Sequence, residues 1–184
     1  MDSGVADSPL EVIRLGHPAL RQIAEPVAED LFGSTRLEAL FRDMVRTMRA
    51  EDGVGLAAPQ VAESLRLFVY WLPETEDHPE IAPRLLVNPE IKAVGNVIED
   101  GWEGCLSLPG LRGIVPRFSR VKVRARDLEG EPVSLTADGF HARVLQHEYD
   151  HLDGVVFLDR MESTVSLAYE QEWQRFVLEP EGER

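Results

Sequence analysis

Two histidines four positions apart, with a glutamate next to the first, give the clearest chemical signal in the sequence. They lie in the run His147-Glu148-Tyr149-Asp150-His151. On a helix both imidazole rings would leave the same face and could bind one ion, while Glu148 would lie beside them and could move a proton. Two ligands with an adjacent non-ligand carboxylate are typical of metal-dependent hydrolases.

The residues around this run predict an inward-facing helix. Over residues 137–152, apolar side chains and the two histidines recur at three- and four-residue steps, Asp138 can cap the N-terminus, and Gly154 follows as a stop signal. One inward-facing histidine is usually a hydrogen-bonded core residue. Two in register with a glutamate favour a metal site.

The single cysteine, Cys105, is a candidate for the third ligand. Because there is no second cysteine, it cannot form an intramolecular disulfide, so the thiol could pack in the core, act as a nucleophile or bind metal. The surrounding residues 103–110 are rich in glycine and contain Pro109. This composition predicts a bent segment that exposes backbone amides.

A second glycine-rich segment, residues 53–60, could form another wall of the site. Its two glycines would let a ligand approach the backbone closely, and the amide of Gln60 could donate a hydrogen bond. The segment lacks the lysine and the glycine spacing of a P-loop, so it does not predict a phosphate site.

Together, the three segments resemble the peptide deformylase family. Residues 53–60 match the family pattern G-φ-G-φ-A-A-x-Q, where φ is apolar. Residues 103–107 match E-G-C-φ-S, and residues 146–151 match Q-H-E-x-D-H. The three motifs follow one another in the family's order and spacing.

The resemblance implies a hydrolase that removes the N-formyl group from the N-terminal formyl-methionine of newly synthesised proteins and releases formate. It implies that Cys105, His147 and His151 hold one divalent ion, with Fe²⁺ as the physiological metal and Ni²⁺, Co²⁺ or Zn²⁺ as substitutes. Such an ion would make hydroxide available near neutral pH to attack the formyl carbonyl. Glu148 would be the general base and then the general acid. The other catalytic positions would be Gly55, Gln60 and the backbone N–H of Leu106.

The substrate's N-terminus is expected to bind as an extended strand. It would pair with residues 53–55 on one side and residues 110–114 on the other. The methionine side chain would enter a pocket lined in part by His147. Two arginines near the mouth would either contact substrate or be ordinary surface charges. The predicted substrate-binding residues are Gly53, Val54, Gly110, Arg112, Phe140, Arg143 and Val144.

Two other functions are compatible with the ligand spacing. A zinc peptidase also uses H-E-x-x-H, although Cys105 as third ligand and the presence of Gln60 count against it. A non-catalytic metal or redox sensor could use Cys105 reversibly, but would give no reason for Glu148 and Gln60 to accompany the ligands.

Length and composition predict a single domain over residues 1–184, with flexible residues 1–10. The 43% hydrophobic content is enough for a core, and the formal charge of −14 argues against a nucleic-acid groove. No apolar run reaches membrane-spanning length, and residues 1–10 contain no basic residue, unlike a secretory signal. A bacterial cytoplasmic protein is expected. Residues 163–184 hold five glutamates and two arginines, which argues against the basic C-terminal helix that docks some deformylases on the ribosome.

The order of the predicted elements indicates an α+β fold, with antiparallel sheets wrapped around the central metal-binding helix. An N-terminal helix is predicted from Thr35 to Arg49, with Thr35 and Glu38 as a capping box. A C-terminal helix and tail are predicted over residues 163–184, and an acidic surface loop over residues 73–83. The predicted strands are residues 66–72, 85–87, 90–98, 114–126, 132–135 and 155–158.

Overall fold

The computed structural model describes residues 9–76 and 79–178 of the chain. Most of the N-terminal stretch that is predicted to be flexible, residues 1–8, lies outside this range. Leu10 belongs to the described residues. Its backbone N–H donates to Thr47 Oγ1 at 2.8 Å, so this residue is tied to the first long helix.

The described residues form two antiparallel sheets and helices that pack against them, which confirms the predicted α+β class. The first sheet has the strand order β1-β2-β3-β6-β7, and the second has the order β4-β5-β8. The strands are β1 (Gly55–Ala57), β2 (Leu67–Leu72), β3 (Ile81–Ala93), β4 (Ile98–Cys105), β5 (Leu108–Phe118), β6 (Arg120–Arg126), β7 (Pro132–Asp138) and β8 (Ala168–Tyr169). The α-helices are α1 (Thr35–Ala50), α2 (Gly139–Leu152), α3 (Phe157–Arg160) and α4 (Glu170–Trp173).

Helix α1 packs its apolar face on one side of the first sheet. Leu37, Met44 and Met48 are buried there. The cap differs from the prediction, because the Oγ of Ser34, not that of Thr35, accepts from the backbone N–H of Leu37.

Helix α2 is the central element that the sequence predicts. Ala142, Leu145 and Leu152 are buried in the main core against β2, β3, β6 and β7. Asp138 occupies the N-cap position, but its carboxylate pairs with Arg120 and makes no capping hydrogen bond.

The C-terminus of α2 is closed by a Schellman motif. The N–H of Val155 donates to Asp150 O at 3.0 Å, and the N–H of Gly154 donates to His151 O at 3.3 Å. Gly154 has φ +71°, a conformation that a side chain disfavours. This turn fixes where α2, the helix that carries His147 and His151, ends.

Several strand predictions need correction. Residues 155–158 are not a strand, because Asp159 Oδ2 accepts from the N–H of Val156 and starts helix α3. Predicted strand 85–87 and most of the paired part of predicted strand 90–98 belong to one longer strand, β3, and residue 98 begins β4. The register of β3 against β6 shifts near Asn88, which has φ +49°. Predicted strand 114–126 is divided at Ser119 into β5 and β6.

The C-terminal helix begins later than predicted. Residues 164–166 form a 3-10 turn, β8 pairs with β5, and only then do α4 and a π-helical turn, Gln174–Leu178, follow. Pairing with β5 holds the backbone of β8 extended, which overrides its helical periodicity. The tail after residue 178 lies outside the described range.

The predicted loop over residues 73–83 ends earlier, because β3 begins at Ile81. Residues 77 and 78 of this loop are not among those described. Within the described part of the chain, no helix combines the length and the apolar character needed to cross a membrane.

Replacing Gly154 by alanine should destabilise the protein more than the same change at Gly95. Both glycines have positive φ, which costs a side chain about 1–2 kcal/mol. A Cβ at Gly154 would also lie 2.7 Å from the backbone carbonyl carbon of Arg21, whereas Gly95 has open space around it. The overlap should add about 1–3 kcal/mol. Chemical denaturation of both variants measures the difference, and equal losses would contradict the close approach.

Candidate metal and catalytic site

Three potential ligands converge from two elements. Cys105 ends β4, while His147 and His151 lie one turn apart on α2. One ligand atom from each residue lies within 4.8 Å of the others, and Cys105 Sγ is 3.3 Å from His151 Nε2. One thiolate and two imidazoles are a donor set that suits zinc, iron, nickel or cobalt. These residues therefore fit the divalent ion that the sequence predicts.

The two imidazoles differ in their affinity for a proton. Burial lowers the pKa of His151, and the nearby His147 and Arg117 lower it further. Burial also acts to lower the pKa of His147, but hydrogen bonds with Cys105 and Glu103 outweigh it and raise that pKa. Metal binding here should therefore release a proton.

Glu148 is buried beside the ligands. Its Oε2 has no hydrogen-bond partner among the described residues. Burial raises the pKa of its carboxyl to about 7, against the opposing effect of His147. Gly55 makes room for this side chain, since a Cβ at that position would overlap the carboxylate. The carboxyl is thus positioned to exchange protons with a bound substrate.

The amide of Gln60 has one defined orientation. Its Oε1 accepts from the backbone N–H of Ala57 at 2.8 Å, so Nε2 is the end that faces the site. Nε2 lies 3.2 Å from Ser107 Oγ and 3.5 Å from Cys105 Sγ. The amide therefore presents a donor next to the candidate metal ligand.

A buried carboxylate orients the first histidine. Glu103 Oε2 is 2.9 Å from His147 Nδ1, which leaves His147 Nε2 for a metal. Arg117 donates to both oxygens of Glu103, at 2.8 and 3.0 Å. Burial raises the pKa of Glu103, but the hydrogen bonds from Arg117 and His147 outweigh it and lower that pKa to about 2. Glu103 is therefore an anion throughout the neutral range.

The same network continues along α2. Arg117 Nη1 donates to Asp150 Oδ2 at 2.6 Å, and Arg160 Nη2 donates to Asp150 Oδ1 at 2.7 Å. The sequence motifs contain Glu103 and Asp150 but give them no role. Their arginine partners carry no local sequence signal at all.

The structure excludes one of the two interpretations of Arg143, that of an ordinary surface charge. Its guanidinium donates to the carbonyl oxygens of Glu99 at 2.7 Å and Val115 at 2.7 Å, and to Glu103 Oε1 at 2.9 Å. The close approach requires Gly101, since a Cβ there would lie 2.7 Å from Arg143 Cζ. With its side chain only 11% exposed, Arg143 is not an ordinary surface charge but a link between α2 and the β4–β5 hairpin.

A cleft of about 620 Å³ opens over this site. Val144 is buried in its wall, and Phe140 is about half exposed at its edge. With the exception of the buried His151, all the predicted site residues line it: Gly53, Val54, Gly55, Gln60, Cys105, Leu106, Gly110, Arg112, Phe140, Arg143, Val144, His147 and Glu148.

The expected strand pairing with residues 110–114 is wrong. Gly113 and Ile114 pair with β4, while Leu111 and Arg112 pair with β8. The strands that end the two sheets next to the cleft are β1 and β4. A peptide added as a strand would therefore lie between β1 and β4.

Comparison with known proteins shows similarity along most of the chain. A family model described as polypeptide deformylase matches residues 9–166. Peptide deformylase 2 of Pseudomonas putida is 44% identical over 162 residues, which are 86% of this chain and 91% of that protein. A class I type b peptide deformylase of Acinetobacter baumannii, solved with Met-Ala-Ser bound, is 41% identical with a TM-score of 0.79, over 84% of this chain and 99% of that one. The peptide deformylase of Thermotoga maritima is 37% identical with a TM-score of 0.76, over 85% and 99% of the two chains.

Replacing Arg143 by methionine should weaken metal binding by about tenfold, as is common when a group that supports a ligand is lost. Methionine keeps the length but cannot hold β4 and Glu103 against α2. Chelator competition with Zn²⁺ measures the affinity, and Arg124→Met, a change of an exposed arginine on β6, is the matched control. Unchanged zinc affinity in Arg143→Met would show that this link does not position the ligands.

Proposed function

The chain belongs to the polypeptide deformylase family, as the sequence motifs predict, and we infer that it hydrolyses the N-formyl group of formyl-methionyl peptides. The observation that carries this conclusion is the convergence of Cys105, His147 and His151, with Glu148 beside them. No observation favours the peptidase or the sensor.

We propose that Cys105, His147 and His151 hold one divalent ion, with Fe²⁺ as the physiological metal. A divalent ion in such a site polarises a carbonyl oxygen and lowers the pKa of a coordinated water. The donor set alone also accepts Ni²⁺, Co²⁺ or Zn²⁺.

Glu148 is proposed to move the protons of the reaction. Its Oε2, to which no described residue donates a hydrogen bond, can take a proton from the attacking water as the oxygen bonds to the formyl carbon. The same group can then give the proton to the amine nitrogen as the carbon–nitrogen bond breaks. Formate and a free N-terminal methionine are the products.

Gln60 and Leu106 are proposed to bind the formyl oxygen. Gln60 Nε2 is already directed toward Cys105, and Leu106 follows that residue in the chain. Each preorganised donor of this kind stabilises a developing oxyanion by on the order of 3 kcal/mol. Gly55 supports the reaction by leaving room for Glu148.

The substrate is proposed to bind as an extended strand between β1 and β4, with its methionine side chain against Val54, Phe140 and Val144. All three residues line the cleft. The Acinetobacter baumannii relative was solved with Met-Ala-Ser, a peptide that begins with methionine.

Newly synthesised proteins as substrates imply a bacterial cytoplasmic location, which we propose for this chain. Docking on the ribosome through a basic helix is not expected here. The described C-terminal helix α4 is one turn long and contains Glu170 and Glu172.

Glu148→Ala should keep its metal and lose turnover. The carboxylate moves protons and is not a ligand, so kcat should fall by about 10²- to 10⁴-fold. His151→Ala, the matched control, should lose the metal as well. Formate release from formyl-Met-Ala-Ser and elemental analysis of the same samples separate the two effects. A folded Glu148→Ala protein without metal would contradict the roles assigned here.

Activity of the iron-loaded enzyme should decay in air, whereas the nickel- and cobalt-loaded forms should survive the same exposure. Ferrous iron oxidises readily, and a thiolate ligand can itself be oxidised. Formate release is measured after timed exposure, and mass spectrometry locates added oxygen. Equal decay in iron, nickel and metal-free protein, with Cys105 unmodified, would contradict a redox-active metal bound to this thiolate.

A further inference from the structure

Residues 164–178, here called the C-terminal strap, supply the edge strand β8 of the second sheet and then line the cleft. Ser166 Oγ accepts from the backbone N–H of Ile114 at 3.1 Å, and β8 pairs with Leu111 and Arg112. The family model ends at residue 166, so most of the strap lies beyond the part of the chain that it matches. The strap contacts the strands that carry the site.

The strap fixes the position of Arg112. Glu170 Oε1 accepts from Arg112 Nη2 at 2.6 Å and from Nε at 3.2 Å. The ring of Trp173 lies 5.1 Å from Arg112 Cζ, a cation–π distance. On β4, Gly104 approaches the same guanidinium so closely that a Cβ would lie 2.7 Å from Nη1. Arg112 is thus held between the strap and β4.

This arrangement forms one wall of the cleft. Glu170 and Gln174 of the strap line it together with Arg112 and Trp102, and the Trp102 and Trp173 rings are 5.9 Å apart. A strand rises about 3.3 Å per residue, so a peptide that runs along β4 from Cys105 extends past Arg112 within a few residues. The strap is positioned to contact residues after the formyl-methionine.

We propose that Glu170 is a positioning residue that holds Arg112 so that its guanidinium binds the main chain of the peptide beyond the first residue. This inference rests on the proposed function. Arginine donors are fixed in a planar fork, and an anchored fork loses less conformational freedom on binding a carbonyl oxygen. The strap then strengthens the binding of substrates that continue beyond the formyl-methionine, and it leaves the reaction at the formyl group unchanged.

Kinetics with two substrates test the proposal on the full-length metal-loaded enzyme. Formyl-Met-Ala-Ser extends past the first residue, whereas formyl-methionine amide does not. Glu170→Gln should raise KM for the tripeptide about threefold to tenfold with kcat within about twofold, as expected when one charged contact is weakened. KM for formyl-methionine amide should not change. Val165→Ser, at a position on the same strap that is 93% exposed, is the control and should alter neither substrate.

A double-mutant cycle with Arg112→Met tests whether Glu170 acts through the arginine. If it does, Glu170→Gln should add nothing in the Arg112→Met background. A full additional effect, an equal change for both substrates, or no change for the tripeptide would overturn the proposal.

Calorimetric binding of unformylated Met-Ala-Ser gives a readout that needs no turnover. A wild-type enzyme that releases no formate from either substrate refutes the proposed function, and the loss or retention of Met-Ala-Ser affinity in Glu170→Gln still decides the role of the strap.

Discussion

The site depends on one buried carboxylate that accepts hydrogen bonds from three side chains. Glu103 on β4 is bonded to Arg117 on β5 and to Arg143 and His147 on α2. Removing one partner from a buried ion pair costs about 3–5 kcal/mol, because the remaining charge is left without compensation. The two strands and the helix cannot separate without breaking these bonds. Cys105, two residues further along β4, is thereby held at a set distance from the histidines.

The polar groups of the site divide into those that are saturated and those that are not. Both carboxylate oxygens of Asp150 accept hydrogen bonds, from Arg117 on β5 and from Arg160 on α3, and these bonds tie α2 to both elements. Glu148, on the same helix, faces the cleft, and its Oε2 has no partner within the part of the chain that the structure describes. Gly55 leaves it the necessary space. The paired carboxylates Glu103 and Asp150 therefore provide rigidity, and the carboxyl of Glu148 is the one left to meet a substrate.

Local patterns predicted the parts of the structure that depend on neighbours in sequence. The periodicity over residues 137–152 located α2, and three short motifs contain the side chains that the structure brings together at the cleft: Cys105, His147, His151, Glu148 and Gln60. Long-range pairings left no such signal: Arg143 contacts Glu103 across 40 positions, and Arg117 contacts Asp150 across 33. The C-terminal helix was overpredicted for the same reason. Ala168 and Tyr169, near its predicted start, pair with β5 as strand β8. This pairing also occupies the edge of β5 at Leu111 and Arg112, where substrate binding was expected.

The central claim is that this network brings one thiolate and two imidazoles together on one ion. X-ray absorption spectroscopy of the zinc-loaded full-length protein tests it most directly, with Cys105→Ser for comparison. The account predicts one sulfur and two imidazole nitrogens in the wild-type coordination sphere, and loss of the sulfur in Cys105→Ser. A wild-type spectrum without sulfur, or one that Cys105→Ser leaves unchanged, would contradict it.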